Sequence, residues 1–558
     1  LLNHLKNNSH LVSGAMLTAS IFLWVLSCLQ TKTALLSERI TGDLAPMGLF
    51  SILSPPFYMA FSILIASFLI TLLFTKKNRL PLFIIQTSLL IIFLNFTPAF
   101  VEGTARFTTS YLNYQATDYI IQTGRLDPGS IWIHNWPSFS IVISAFAQLT
   151  GISGQSILLI YPTIITFFIF MVLLVFFKTV FDDYNLIWLS IWFVLLGNWV
   201  GQEYFSMQSL AFVFVIIVLF LLFKSMKQKV QLRNSVLLLL LLVFFVVSSH
   251  LLSSLALFCV ILVLFISKSF PRFIIMASVG ALVVVWTIFN AMSYFAKSLS
   301  YTLGQFLNVS FIISTNLTNR MGGDLGHVIT TEVRLIYSLA MLTFALVGLL
   351  SVSHKMTVTD KRILYVLLGF ILLIFAFAYG GELFMRLFMF SLIPLSYFAS
   401  KALLKHKRLL FVGVFFFVIF TPPFVMIAHY GNEVIDYVPL SETVGAQFLY
   451  ASTVGGQVVG GSMRSGDFRD LTYRLNYEEI SLRDLYLNNG SNSLFTQPHD
   501  PYSQRFLCLS YETGVFFSSY MGDSQFSSSI HQNLSQSISY NLVYSNPSFE
   551  IYNSKPLN

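Results

Sequence analysis

The sequence predicts a polytopic α-helical membrane protein of about 13 transmembrane helices, ending in a small extracytoplasmic α/β domain. Three observations predict it. Long apolar runs recur, among them residues 49–74, 157–177 and 411–427. Each is close to the roughly 20 residues that cross a hydrocarbon core of about 30 Å, and in lipid such runs must be helical because their backbone groups find no water. The breaks between runs are short and rich in Lys and Arg. The last part of the chain is rich in Ser, Asn, Tyr and Gly and has no spanning run.

Composition excludes the main alternatives. The chain is 56% hydrophobic and 10% charged, against about 25% charge in a soluble domain. Its net charge of +8 sits in short loops, the positive-inside pattern of a membrane protein rather than a nucleic-acid surface. Cys28, Cys259 and Cys508 imply no disulfide framework. The first residue, Leu1, reads as a fragment or a processed start.

The charges order the helices. Lys76-Lys77-Asn78-Arg79 and residues 224–233, 268–272, 355–362 and 401–408 are placed in the cytoplasm, joined by 178–184, where Asp182 and Asp183 dilute Lys178. Residues 30–48, 101–153, 201–206, the turn at His250, 293–334, 379–386 and everything after His429 then face outward. This puts the N-terminus inside and makes 1–430 the membrane domain and 431–558 the extracytoplasmic domain. Residues 137–149 are apolar but too short to span, so 101–153 reads as an outer loop with juxtamembrane helices. In the tail, 456–459 and 540–544 alternate as strands do. Residues 441–451 suggest an amphipathic helix capped by Ser441, with Val444, Phe448 and Leu449 on one face.

Chemistry must lie in the outward polar segments. The first runs from Glu102 through Arg106, Tyr111 and Asp118 to His134-Asn135-Trp136-Pro137; the bland alternative is a solvated loop with aromatic interface anchors. The second, Gly201-Gln202-Glu203-Tyr204-Phe205-Ser206-Met207-Gln208, puts an acid at a tight membrane boundary, as a base, a metal–phosphate ligand or an interfacial cap. The third is His250, a site residue or a packed turn residue. The fourth is Glu382 and Arg386, four residues apart, which can pair with each other or leave Arg386 to hold a phosphate. Loop 293–334 adds Arg320, Asp324, His327, Glu332 and Arg334, and Met321-Gly322-Gly323-Asp324 reads as the turn of a mobile lid. No phosphate loop, dinucleotide fingerprint, zinc spacing or nucleophile elbow occurs.

On these segments the chain resembles GT-C-type integral-membrane glycosyltransferases, in particular uncharacterised prokaryotic members of that superfamily. Thr104-Ala105-Arg106-Phe107 with Ser110-Tyr111 and Gly124-Arg125-Leu126-Asp127-Pro128 resembles their first outer loop, and Trp136-Pro137 leads into a short helix as expected there. Gly201 to Gln208, Ser249-His250-Leu251 and Arg386-Leu387-Phe388 resemble further blocks. The chain departs from the pattern where an acid should precede the Tyr: Thr108 and Thr109 stand there, flanked by Glu102 and Asp118. Either one of those acids takes the role, or transferase activity is lost.

The resemblance implies a multi-pass plasma-membrane enzyme of the cell envelope that transfers a sugar from a polyprenyl-phosphate donor to a glycan, lipid or protein acceptor on the outer face. Glu102, Asp118 or Glu203 would be the catalytic carboxylate that takes the proton from an acceptor hydroxyl or holds a divalent ion. Arg106, Tyr111, His134, Gln202, Tyr204, Gln208, His250, Arg320, Glu382 and Arg386 would bind substrate. A divalent cation, Mg or Mn, is the one cofactor such a site leaves room for. Beyond the lipid bilayer, its partners would be the lipid-linked sugar and the acceptor, with no nucleic acid. Two other readings compete: a non-catalytic glycolipid-binding or assembly protein, and a transporter, which would carry charged groups at the bilayer midplane.

Overall fold

The computed structural model describes residues 2–38, 47–75, 79–228, 236–292, 294, 308–316, 322–375, 381–405, 407–460, 472–473, 477–482, 505–537 and 539–554. Among the described residues seven helices are long and apolar enough to cross a membrane: Asn8–Leu35, Pro55–Phe74, Arg79–Glu102, Gly154–Val180, Met207–Lys227, Leu325–Lys355 and Leu383–Lys405. Shorter apolar helices lie between them, including Tyr184–Gly197, Val236–Ser249, Leu251–Ile266 and Phe273–Phe289. Ser138–Thr150 has 13 residues and at about 1.5 Å per residue is too short to span. It starts after Pro137, which cannot continue a preceding helix, and ends at Gly151, in the left-handed conformation (φ 68°) that glycine adopts at low cost.

Small and hydroxylated residues bring the first helices together. Ser20 Oγ donates to the Ala60 carbonyl at 2.7 Å, and Gln86 Nε2 donates to Ser67 Oγ and Thr71 Oγ1, both at 2.9 Å. Side chains that can reach a partner across a close interface hold helices together where lipid tails offer no hydrophobic drive. Aromatic stacking supplies the rest: Phe68 on Trp192 with centroids 3.8 Å apart, and Phe83 on Trp188 at 4.9 Å. Gly348 lets its helix lie directly against the Phe398 carbonyl, where any Cβ would overlap it.

Proline shapes the third span. Pro98 has no N–H to give the Leu94 carbonyl, and the helix passes through one π turn at Ile92–Phe96 just before it. The Tyr430 hydroxyl donates to that Leu94 carbonyl instead. One missing backbone donor thus ties the third span to the end of the last membrane helix, Lys407–Tyr430.

After that helix the chain forms a five-stranded mixed sheet of β1 (Gly456–Gly460), β2 (Tyr477–Ser481), β3 (Arg505–Ser510), β4 (Tyr540–Asn546) and β5 (Phe549–Ser554), in the order β2-β1-β3-β5-β4. β1 runs parallel to β2 and β3, and β5 antiparallel to β3 and β4. The two-residue period of a strand divides the core. Val458, Phe506, Cys508 and Ile551 face the helix Leu440–Ser452, and Val459 and Leu507 face the helix Phe526–Gln536.

Two expectations for this part change. Pro439, not Ser441, is the N-cap of Leu440–Ser452; Ser441 lies in the first turn and donates to Ser548 Oγ at 2.6 Å. Ala446, Leu449 and Tyr450 form the helix's apolar buried face, while Val444 and Phe448 are exposed, Phe448 stacking on Tyr544 at 4.3 Å. Gly445 and Ala446 let the helix lie close against Phe549 of β5, while Val444 and Phe448 point away from that contact. Loop 293–334 is also partly helical, with Val309–Asn316 and the start of Leu325–Val352, which Asp324 caps by accepting from the His327 N–H at 2.8 Å. Arg320 lies outside the described residues, as does Met321, the first residue of the turn read as a lid; Gly322, Gly323 and Asp324 are described.

Candidate active site

The loop after the third span is built by backbone geometry. Gly103 (φ 72°) ends the third span, and Phe107 takes φ 63°, uncommon for a side chain of its size. Its N–H donates to the Asp436 carbonyl at 2.9 Å, so the segment after the last membrane helix holds this turn. Arg106 fixes the same junction: its Nε donates to Glu433 Oε1 at 2.6 Å, a second nitrogen pairs with Glu433 Oε2, and Asp436 stands 3.7 Å away. The helix Thr108–Thr123 then leads to a turn pinned by His134, whose Nδ1 accepts from the Asp127 N–H at 3.0 Å while Nε2 donates to the Ala116 carbonyl at 2.8 Å.

The second outer turn enters through Gly201 (φ 68°). Its Phe205 packs on Phe139 and Tyr161, and its Tyr204 on Phe107 at 4.8 Å. His250 caps the next helix through Nδ1, which accepts from the Ser253 N–H at 3.2 Å. Burial first, and then the nearby Arg386, push the imidazole down to about 3, so it is neutral at pH 7.

These segments surround a cavity of about 930 Å³. Its polar end carries Arg386, Arg334, His250, His327, Gln208 and Tyr204, walled by Trp132, Trp136 and Trp199. Its other end, between membrane helices, is aliphatic: Leu335, Leu342, Leu367, Ile371 and Leu395. Arg386 pairs with Glu382 one turn before it and donates to the Tyr204 phenol, which burial pushes up to about 12. Gln208 is 3% exposed and its Nε2 has no hydrogen-bond partner among the described residues. Arg334 Nε donates to the Ala428 carbonyl at 2.7 Å, and its guanidinium lies over Trp199 at 5.3 Å.

Of the residues the sequence singles out, Gln202, Tyr204, Gln208, His250, Glu382 and Arg386 meet in this cavity. Thr108 and Thr109 line it too. Glu102, Asp118 and Glu203 are not among its lining residues. Glu102 is buried at the end of the third span. Asp118 accepts from the Tyr473 N–H at 3.0 Å and from Gln122. Glu203 accepts from Asn198 Nδ2 at 3.2 Å and borders two small neighbouring pockets; burial pushes its carboxyl up to about 7. Arg106, Tyr111 and His134 also sit behind the cavity wall.

His327 and Arg334, polar residues of loop 293–334, are on the wall, and sequence reasoning missed His429, Asp436 and Glu512 beside them. A signal existed for Asp436: Gly431-Asn432-Glu433-Val434-Ile435-Asp436 places two acids directly after an apolar run. Among the described residues no group of three or more His, Cys, Asp or Glu could hold a metal ion. Two of the cavity's carboxylates already stand beside guanidinium groups, Glu382 by Arg386 and Asp436 by Arg106. Among the described residues this donor set does not fit a divalent cation.

Fold and site together define a polytopic helical membrane protein with an amphiphilic cavity beneath a small α/β domain. No family model matches the chain, and no curated protein matches it. Among solved structures it is similar to the oligosaccharyltransferase of Archaeoglobus fulgidus tethered with an acceptor peptide containing the NVT sequon, at 11% identity over 86% of this chain and 74% of that one, with TM-score 0.49. It is also similar to ArnT from Cupriavidus metallidurans bound to undecaprenyl phosphate, at 10% identity over 86% of this chain and 98% of that one, with TM-score 0.49. At those scores and identities no residue role, ligand or reaction passes from either protein to this chain.

Proposed function

We propose that this protein is a membrane glycosyltransferase that takes a sugar from a polyprenyl-phosphate donor and passes it to a glycan, lipid or protein acceptor at the outer face of the plasma membrane. The cavity carries this reading. One end offers a forked cation, the neutral imidazole of His250 and an unpaired amide donor, and the other offers aliphatic side chains between membrane helices. A ligand that fills both ends has an anionic head and a long apolar tail.

Arg386 holds the phosphate through its forked donors, oriented by Glu382 and Tyr204. Gln208 supplies a further N–H, and Arg334 adds positive charge to the same wall. As the sugar leaves, negative charge gathers on the phosphate oxygen, and fixed cations stabilise that charge most where water is excluded. Trp132, Trp136 and Trp199 offer flat apolar faces to a sugar ring. The positive-inside pattern of the basic breaks supports a cytoplasmic N-terminus and an outward polar end of the cavity.

The test uses full-length protein in lipid nanodiscs. Undecaprenyl and dolichyl phosphate binding is measured by tryptophan quenching, and transfer is measured with polyprenyl-phosphate [14C]hexoses and a membrane extract as acceptor. Arg386→Ala is expected to weaken lipid-phosphate binding by about 10- to 100-fold, the loss of one charge-assisted contact of about 1.5–3 kcal/mol. Binding without transfer by wild-type protein would support the glycolipid-binding alternative instead. Binding unaffected by Arg386→Ala would remove the phosphate role.

A further inference from the structure

We propose, resting on the transferase reading above, that Asp436 is the catalytic carboxylate, supplied by the segment after the last membrane helix in place of an acid in the first outer loop. Among the described residues three carboxylates line the cavity: Glu382, Asp436 and Glu512. Glu382 is bound to Arg386 on its own helix turn. Glu512 is 5% exposed. Asp436 retains 20% side-chain exposure and can be reached from the cavity.

Its surroundings leave it available. Arg106 spends its hydrogen bonds on Glu433, whose side chain is 1% exposed, and stands 3.7 Å from Asp436. That separation exceeds the hydrogen-bond range of about 2.7–3.2 Å. The guanidinium therefore steadies the Asp436 charge without occupying its lone pairs. The backbone fixes where the carboxylate stands: the Asp436 N–H donates to the Asn432 carbonyl at 3.2 Å, and the Asp436 carbonyl accepts from Phe107. The second bond ties Asp436 to the residue before Thr108 and Thr109, where the first loop offers hydroxyls. Phe107 is held there at φ 63°, a strained conformation of the kind that collects at functional sites.

Asp436 also faces the phosphate-binding end. The Tyr204 phenol, hydrogen-bonded to Arg386, feels the charges of both Glu382 and Asp436. Burial raises the Asp436 carboxyl well above its ordinary range; Arg106 and Arg334 pull it down and Glu433 pushes it up. A base whose affinity for protons approaches neutrality suits proton abstraction at physiological pH. In the step, the acceptor hydroxyl gives its proton to Asp436 as its oxygen bonds to the sugar's anomeric carbon. The bond from that carbon to the phosphate oxygen breaks, its electron pair leaves with the phosphate, and polyprenyl phosphate is released against Arg386.

The experiment compares wild type, Asp436→Asn, Asp436→Glu, Glu102→Gln, Asp118→Asn and Glu203→Gln in nanodiscs, reading undecaprenyl- and dolichyl-phosphate binding and [14C]hexose transfer from pH 5 to 9. Asp436→Asn is expected to keep lipid-phosphate binding and lose transfer by about 10²–10⁴-fold, the usual contribution of a positioned base. Its residual rate should lose the decline at low pH that wild type shows, which a purely structural role would leave in place. Asp436→Glu should recover part of the rate. Transfer by Asp436→Asn within about tenfold of wild type would overturn the assignment while leaving the transferase reading intact. A comparable loss in Glu102→Gln, Asp118→Asn or Glu203→Gln with Asp436→Asn active would move the role to that acid. If wild-type protein binds neither lipid phosphate, the transferase reading falls, and the assignment with it.

Discussion

Replacing Arg106 by Leu should destabilise the protein more than replacing both Arg106 and Glu433. Glu433 has a side chain 1% exposed, and Arg106 one 16% exposed. At an effective dielectric of 20, opposite charges about 4 Å apart attract by about 4 kcal/mol. Arg106→Leu leaves the Glu433 carboxylate buried without its partner, a change that costs about 3–5 kcal/mol. Arg106→Leu/Glu433→Leu removes both desolvated charges and should return to within about 1–2 kcal/mol of wild type, since apolar replacement of a buried pair is often neutral. The Phe107 to Asp436 backbone bond survives in every variant, so the cycle isolates the side-chain pair. Reversible unfolding in mixed SDS micelles, followed by tryptophan fluorescence, gives the four free energies. A double variant whose loss equals the sum of the two single losses would refute this account, because additive effects mean that the two groups are not coupled.

Two further outcomes follow from the same region. Gln208→Met keeps the volume and removes a buried amide N–H without a partner; such a group costs about 1–3 kcal/mol, so the variant should resist heat better in detergent while binding undecaprenyl phosphate more weakly. Glu203 has a carboxyl pushed up to about 7 by burial from an ordinary 4.5. The folded protein therefore holds a proton there that the unfolded chain releases, and stability must fall as pH rises between those values, by on the order of 3 kcal/mol. Thermal unfolding from pH 4.5 to 8 should show this slope in wild type and a flatter one in Glu203→Gln.

The membrane part was legible in the sequence because hydropathy is local. A run such as 157–177 declares itself without reference to any other residue, and the helix Gly154–Val180 contains it. Glu382 and Arg386 could be paired on paper because four residues make one helical turn. The strands at 456–459 and 540–544 could be read from alternation, but the sheet's order could not, since pairing depends on partners far away in the chain. The inner face of Leu440–Ser452 was misread for the same reason: apolar spacing marks Val444 and Phe448, and packing against β5 selects Gly445 and Ala446.

The site divides along the same line. The sequence by itself determined which turns between apolar runs carry polar groups at membrane boundaries, because charge in lipid is costly and leaves a visible mark. Only the tertiary structure decided which of them share a space. Glu102, Asp118 and Glu203 stood out as acids near helix ends, yet Asp118 and Glu203 are taken up by neighbouring contacts and Glu102 is buried at the end of the third span. Asp436 follows the last membrane helix, and it reaches the first outer loop because Tyr430 replaces the donor that Pro98 lacks and Arg106 binds Glu433. A cavity is made where distant segments fail to fill the space between them, and that depends on the packing of the whole chain rather than on any single stretch of it.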